Sequence, residues 1–321
     1  MYKLSLNSKG DSKAIAKIVG GKNKNKLVYL TKENTDTKIN KKLDYDLLEY
    51  TMKEMKIKLR ERLGLLMKLE ELYESGKKPE DVISDDKRLI ELYKTVWGQS
   101  TNETFLKADF GSSFEIMPNQ DENKTSRYYI AGMTESGKSY IAKSIIDNYH
   151  STFPDRKVYC ISKLKYDETL DSCNVELIRI NPETFLEDPP TLEEFEDDGN
   201  GCLIVFDDYD GFKGKLGNIL QTFIDDTVQM GRHHNISCIL CTHHLTNYKT
   251  SAIKLAECNY YVIFPHGSTS KKLSYLLDSY AGIDEKNIKM IKKMGRWILV
   301  SRTYPQYVIG EKEIRIINES E

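Results

Sequence analysis

Gly132-Met133-Thr134-Glu135-Ser136-Gly137-Lys138-Ser139 has the residue types and spacing of a loop that holds phosphate. In the pattern G-x-x-x-x-G-K-S, backbone N–H groups and a following helix N-terminus cradle the anion. The lysine reaches the β- and γ-phosphates and the terminal hydroxyl ligates Mg²⁺. Lys138 and Ser139 take those two roles, and Gly132 through Tyr140 form the expected contact with a nucleoside triphosphate. This chemistry needs a strand before the loop and a helix after it. Arg127–Ala131 reads as a buried strand, and Tyr140–Tyr149 as a helix with Ile141, Ile145 and Ile146 on one face.

The segment Gly201-Cys202-Leu203-Ile204-Val205-Phe206-Asp207-Asp208 is an apolar strand ending in two carboxylates, the Walker B arrangement. Asp207 is expected to hold Mg²⁺ through water, and Asp208 to orient or deprotonate an attacking water. A water-orienting carboxylate argues for hydrolysis over phosphoryl transfer to a small molecule. A further strand, Ile236–Cys241, ends in Thr242-His243-His244. A polar residue at such a tip can touch the γ-phosphate or the attacking water, which makes His243 or His244 a sensor; the other reading is a structural histidine pair. His233, His234, Cys238, Cys241, His243 and His244 crowd together as a zinc set would. Cys238 and Cys241, however, are three apart on a strand and point to opposite faces. Arg232 fits either an arginine finger reaching a neighbouring subunit's site or a helix-terminal charge balancing the macrodipole. Arg296 is a second candidate for the finger.

These groups need a scaffold. From residue 127 onward strands at 127–131, 157–161, 202–206, 236–241 and 260–264 alternate with helices at about 138–149, 216–230, 250–257 and 269–280. That is the pattern of an α/β core with a mostly parallel sheet. Strand-like segments follow at 297–302, 305–309 and 313–317. We expect residues 1–109 to form an N-terminal region and 110–321 the ATPase domain. The N-terminal region would hold a small β element within 1–40 and one long amphipathic helix over about 44–75, capped by Asp44 or Asp46 and stopped at Gly76. Its stripe is Leu48, Met52, Met55, Leu59, Leu66 and Leu69. A second helix over about 85–96 follows Pro79. The segment Gly211-Phe212-Lys213-Gly214-Lys215-Leu216-Gly217 has the composition of a mobile, phosphate-touching loop or a flexible surface connection.

The net charge of −2 excludes a general polyanion binder, but the charge is uneven. Residues 1–62 carry sixteen Lys/Arg against eight Asp/Glu, residues 180–212 eleven acidic residues and no basic ones, and residues 249–302 ten Lys/Arg against four Asp/Glu. A basic face toward a polyanion is therefore open. The six cysteines lack framework spacing, which suits reduced thiols in the cytoplasm. No apolar stretch approaches the ~18 residues of a membrane span, and the N-terminus lacks the apolar core of a signal peptide. These features lead us to expect a soluble intracellular protein.

Taken together, Tyr129–Tyr140, Leu203–Asp208, Gly231–Ser237, Thr242–His244 with Thr250–Glu257, Tyr261–Pro265, Tyr280–Ile283 and Arg296 through Pro305 resemble the genome-packaging ATPases of poxviruses and other large DNA viruses, in the FtsK/HerA superfamily of P-loop ATPases. The resemblance covers about residues 110–317. It implies a RecA-like P-loop NTPase core, ATP and Mg²⁺ as cofactors, a homo-oligomeric ring of five or six subunits, and translocation of double-stranded DNA into a capsid with a capsid or portal-like viral partner. It also implies a location in the host cytoplasm or a viral factory, with virion association. Carried over, Lys138 and Ser139 bind phosphate and Mg²⁺, Asp207 supports Mg²⁺ and Asp208 is the catalytic carboxylate. Glu135 stands where many members have Gly, Asp208 where Glu is common, and a histidine where the superfamily has a strand-end Gln. Outside the resemblance, a P-loop phosphotransferase and a nucleotide-gated scaffold recruiting a partner through the 44–75 helix are the alternatives.

Overall fold

The computed structural model describes residues 2–8, 11–32, 45–75, 82–101, 104–196, 199–247 and 251–318. Asp44, Gly76, Pro79 and Thr250 lie outside the described residues. The chain forms two units, residues 1–32 with 106–321, and residues 33–105.

Strands β1 (Tyr2–Ser5), β2 (Ser12–Val19) and β3 (Leu27–Lys32) open the chain, and helices α1 (Tyr45–Glu54), α2 (Leu59–Glu74) and α3 (Lys87–Thr101) form the smaller unit. There follow β4 (Phe105–Lys107), β5 (Ser113–Ile116), β6 (Arg127–Ala131), α4 (Lys138–Thr152), β7 (Lys157–Ile161), β8 (Ile178–Ile180), β9 (Cys202–Phe206), α5 (Gly214–Met230) and β10 (Ile236–Thr242). The remainder is α6 (Ala252–Glu257), β11 (Tyr260–Ile263), α7 (Ser270–Tyr275), α8 (Glu285–Ile291), β12 (Ile298–Ser301), β13 (Gln306–Gly310) and β14 (Glu313–Asn318).

The large sheet has ten strands in the order β4-β14-β13-β12-β11-β6-β10-β9-β7-β8. The run from β11 to β8 is parallel, and β12, β13 and β14 extend it antiparallel. Strand β10 therefore lies between β6, which leads into the phosphate loop, and β9, which ends in the paired carboxylates. Its register sets Thr242 beside Ala131 and Leu240 beside Phe206, so all three strands end together.

Both faces of this sheet are buried, which explains the unbroken apolar runs of its central strands. On one face Tyr129, Ile204, Phe206 and Leu240 pack with Phe223, Ile224 and Val228 of α5 and with Leu255, Leu273 and Ile291. On the other, Ile130, Val205 and Ile239 pack with Ile141, Ile145 and Ile146 of α4 and with Ile15, Val28 and Phe114. Those last three belong to a four-stranded antiparallel sheet of order β1-β3-β2-β5. Residues 2–32, placed by sequence in an N-terminal region, thus pair through β2 with β5.

The smaller unit corrects the single helix expected over 44–75. Two helices form instead, with Lys56 between them at φ 54. Buried Met52 and Ile57 are five residues apart, a spacing one helix cannot bring to one face. The left-handed turn at Lys56 rotates Ile57 into the core with Leu48, Leu65, Leu69 and Tyr93. Leu59, assigned by sequence to the apolar stripe, is 80% exposed.

Candidate nucleotide-binding and hydrolysis site

The loop between β6 and α4 has a backbone that only certain residues tolerate. Gly137 caps α4 at φ 106, in the left-handed region where glycine carries no steric cost. A Cβ on Gly132 would stand 2.4 Å from Ser136 Oγ and 2.6 Å from Phe264 Cδ2, so a methyl group there collides. Glu135 also holds a positive φ of 64, with its side chain exposed. Glycine would hold that φ without steric cost, and the carboxylate faces solvent.

Lys138 is buried and turned back into the loop. Its ammonium donates to Gly132 O at 3.1 Å, to Met133 O at 3.3 Å and to His243 Nδ1 at 3.2 Å, with Asp208 Oδ1 at 3.7 Å. His243 Nε2 lies 3.2 Å from Asp208 Oδ2. Because Lys138 can only donate, Nδ1 must accept, and the proton of a neutral imidazole sits on Nε2, facing Asp208. Lys138, His243 and Asp208 thereby stand in a row, the first two joined by a hydrogen bond and the last two within ion-pair distance. His244 lies apart. Its side chain is exposed, Nε2 is 3.9 Å from Asp210 Oδ2, and its carbonyl accepts from Tyr129 OH at 2.8 Å.

Two residues not singled out by sequence hold this arrangement. Asp210 Oδ2 accepts from Thr242 Oγ1 at 2.9 Å and from the His243 backbone N–H at 3.0 Å, which pins the tip of β10. Ser162, the first residue after β7, donates to Asp207 Oδ2 at 2.9 Å. Both are single polar residues in loops, without a spacing signal. Ligand atoms of Asp208, Asp210 and His243 lie within 4.8 Å of one another, close enough for one cation.

Asp207 is buried, and burial is the main cause pushing its carboxyl above the ordinary range. The negative charge of Asp208 adds to this, while Ser162 and Lys138 act against it. Asp208 Oδ1 and Asp210 Oδ1 accept no hydrogen bond. Among the described residues, no hydrogen bond is made by the Ser139 hydroxyl. A buried carboxylate short of positive charge, orphaned carboxylate oxygens and an uncommitted hydroxyl together fit a hard divalent cation such as Mg²⁺.

The two arginines separate. Arg296, just before β12, donates through Nη2 to Ser136 O at 3.1 Å, against its own phosphate loop. Arg232 is exposed at the opposite end of β10, beside His233. With ~3.3 Å per strand residue, it lies about 20 Å or more from the Thr242 end of its own sheet. The zinc set does not assemble. Cys238 and Cys241 are buried in different faces of the sheet, and His234 pairs with Glu196 at 3.3 Å. The suspected mobile segment 211–217 is half helical, since α5 begins at Gly214, leaving Lys213 and Lys215 exposed at its start.

The strand order and the loop between β6 and α4 give the chain a P-loop NTPase fold. No protein-family model matches the chain. It is 35% identical over 188 residues to the uncharacterized protein V3 of Sputnik virophage, covering 57% of this chain and 74% of that protein. Among solved structures, it is similar to the genome packaging NTPase B204 from Sulfolobus turreted icosahedral virus 2 in complex with sulfate, with TM-score 0.43, 14% identity, and coverage of 61% of this chain and 98% of that one. It is also similar to the pCW3 conjugation coupling protein TcpA, with TM-score 0.41, 13% identity, and coverage of 93% and 77%. No helix among the described residues is long and apolar enough to cross a membrane.

Proposed function

We propose that this chain, which belongs to the family of the Sputnik virophage protein V3, is an ATP-hydrolysing motor that moves double-stranded DNA and packages a viral genome. One observation carries the hydrolytic reading: Lys138, His243 and Asp208 meet within hydrogen-bond reach at the mouth of a phosphate loop. A phosphotransferase must exclude water, whereas a carboxylate and an imidazole at that mouth would serve to orient it.

Each residue's part follows from its contacts. The loop N–H groups and the α4 N-terminus bind the phosphates. Lys138 exchanges its two carbonyl partners for phosphate oxygens. That exchange withdraws the donor from His243 Nδ1 and lets the imidazole report an occupied site. Asp208 accepts a proton from water or aligns it for attack. Ser139 and Asp207 would hold Mg²⁺, which supplies charge neutralisation on the transferred phosphoryl group. Arg232, too far to serve its own site, would serve a neighbour's in a ring of five or six subunits. The exposed lysines Lys213 and Lys215 are suited to the DNA phosphates. The protein would work in the host cytoplasm or a viral factory, with a capsid or portal-like partner.

ATP turnover by the purified protein tests this. Duplex DNA should raise it several-fold, and the stimulation should fade steeply with salt, because phosphate contacts release counterions. Particle size should grow with DNA and a slowly hydrolysed ATP analogue. Lys138→Ala should abolish both responses. Turnover indifferent to DNA at every salt concentration would leave an ATPase that is not a DNA motor.

A further inference from the structure

Helix α2 buries Leu65 and Leu69 against Leu48 and Met52 of α1 and Leu92 and Tyr93 of α3. A second apolar row runs along its other side. Leu59, Leu63 and Met67 follow one another at intervals of four residues, which stacks them on one face, and they are 80%, 70% and 64% exposed. A continuous apolar row in water marks a surface that is covered in use. Gly64 lies beside Met67 in the helix interior, where glycine is destabilising relative to alanine. A Cβ there would meet nothing within 4 Å. Nothing inside the unit calls for that glycine, whereas the close approach of a second helix does.

The charges beside the row run against the helix's own dipole. Its start carries Lys56, Lys58, Arg60 and Arg62 with one acid, Glu61, and its end carries Glu70, Glu71 and Glu74 with one base, Lys68. A helix is stabilised by acids at its N-terminus and bases at its C-terminus, so this order is unfavourable within one copy. Among the described residues, Lys56, Lys58, Glu71 and Glu74 make no ion pair. We propose that α2 is a self-association surface, and that its occupant is the α2 helix of a second copy of this chain, lying antiparallel on the row. About a two-fold axis near Leu65, Leu63 of one copy meets Met67 of the other, and each basic start lies along the other's acidic end. One contact thus covers the apolar row and neutralises the reversed charges. A parallel copy would instead set like charges side by side. The contact is two-fold and belongs to the smaller unit, so it is additional to any head-to-tail contact of the ATPase unit.

Sedimentation equilibrium of the full chain tests this, with nucleotide and DNA left out so that neither can drive assembly of a ring. The wild type should pass from monomer to dimer across the micromolar range. Leu63→Glu should weaken dimerisation by about tenfold or more, with an unchanged circular dichroism spectrum, because an exposed side chain carries no part of the fold. Arg60→Glu and Glu71→Arg should each weaken it by about tenfold or more, since two-fold symmetry repeats every like-charge contact. The double variant Arg60→Glu/Glu71→Arg re-forms the opposite-charge contacts and should restore the wild-type dimer. A monomer at every concentration would overturn the proposal and leave the row to the chain's other unit or to a different protein. A dimer indifferent to Leu63→Glu would place the contact elsewhere. Losses in the single variants without recovery in the double variant would overturn the antiparallel pairing.

Discussion

His243 stands between an ammonium and a carboxylate, and that position fixes where its proton sits. Nδ1 accepts from Lys138 and Nε2–H faces Asp208, so a phosphate that captures Lys138 changes what Asp208 feels through one ring. Residues that act as a unit give non-additive losses. Asp208→Asn should lower turnover by about 10²–10⁴, the range for a positioned acid–base group, with ATP binding retained. His243→Ala should also act on kcat more than on ATP affinity. The double variant should be scarcely slower than Asp208→Asn alone in steady-state kinetics; multiplying losses would mean that the two groups act independently. Asp207 makes a different prediction. Burial and the neighbouring Asp208 charge penalise its ionised form, so Asp207→Asn should raise the Tm of the metal-free protein while abolishing the extra Tm gained from Mg²⁺ with nucleotide.

At the scale of elements, the central strands were legible because two-sided burial forces continuous apolar runs, and β6, β9 and β10 end where their polar tips predict, whereas the short, half-exposed edge strand β8 was not. The break at Lys56 was not legible: a left-handed residue leaves no trace in a period of three and four, and Leu59 fits the pattern while facing water. Asp210 and Ser162 were invisible for another reason, since a lone polar loop residue acquires meaning only from the partner the fold supplies. One contact ties α6 to the turn after β9. Lys254 is fully buried, paired with Asp225 of α5, and 5.8 Å above the ring of Tyr209, the residue after Asp208. Burial lowers its pKa from the ordinary lysine value, and Asp225 partly restores it. Below that depressed pKa the desolvation cost is fully present. As pH rises through it toward the unfolded value, the unfolded chain binds more protons, so stability increases. Asp225→Ala should therefore cost about 3–5 kcal/mol at neutral pH, as breaking a buried pair does, and the deficit should shrink at alkaline pH. Urea denaturation at both pH values measures this. A deficit independent of pH would assign the loss to packing.

For the whole molecule, the directionality of the sheet matters most. The strand ends that carry the phosphate loop, Asp208 and His243 lie at one pole, and Arg232 lies at the other, exposed and without a carboxylate partner among the described residues. Head-to-tail assembly sets one pole of each subunit against the opposite pole of the next and closes into a ring when the rotation allows. In such an assembly Arg232 would be the cation each subunit lends its neighbour, while Arg296 remains with its own loop. Arg232→Ala should bind ATP normally and lose about 10³-fold or more in turnover, the scale of an arginine finger. Asp208→Asn keeps the finger and loses the site. Mixed in equal amounts under exchange conditions, the two inactive variants should regain activity, since roughly a quarter of random interfaces pair an intact site with an intact finger. Single-subunit catalysis predicts no recovery at any mixing ratio, and so does a purely structural Arg232. Recovery that follows the product of the two fractions, with its maximum at equal amounts, is the signature of a site completed across the subunit border.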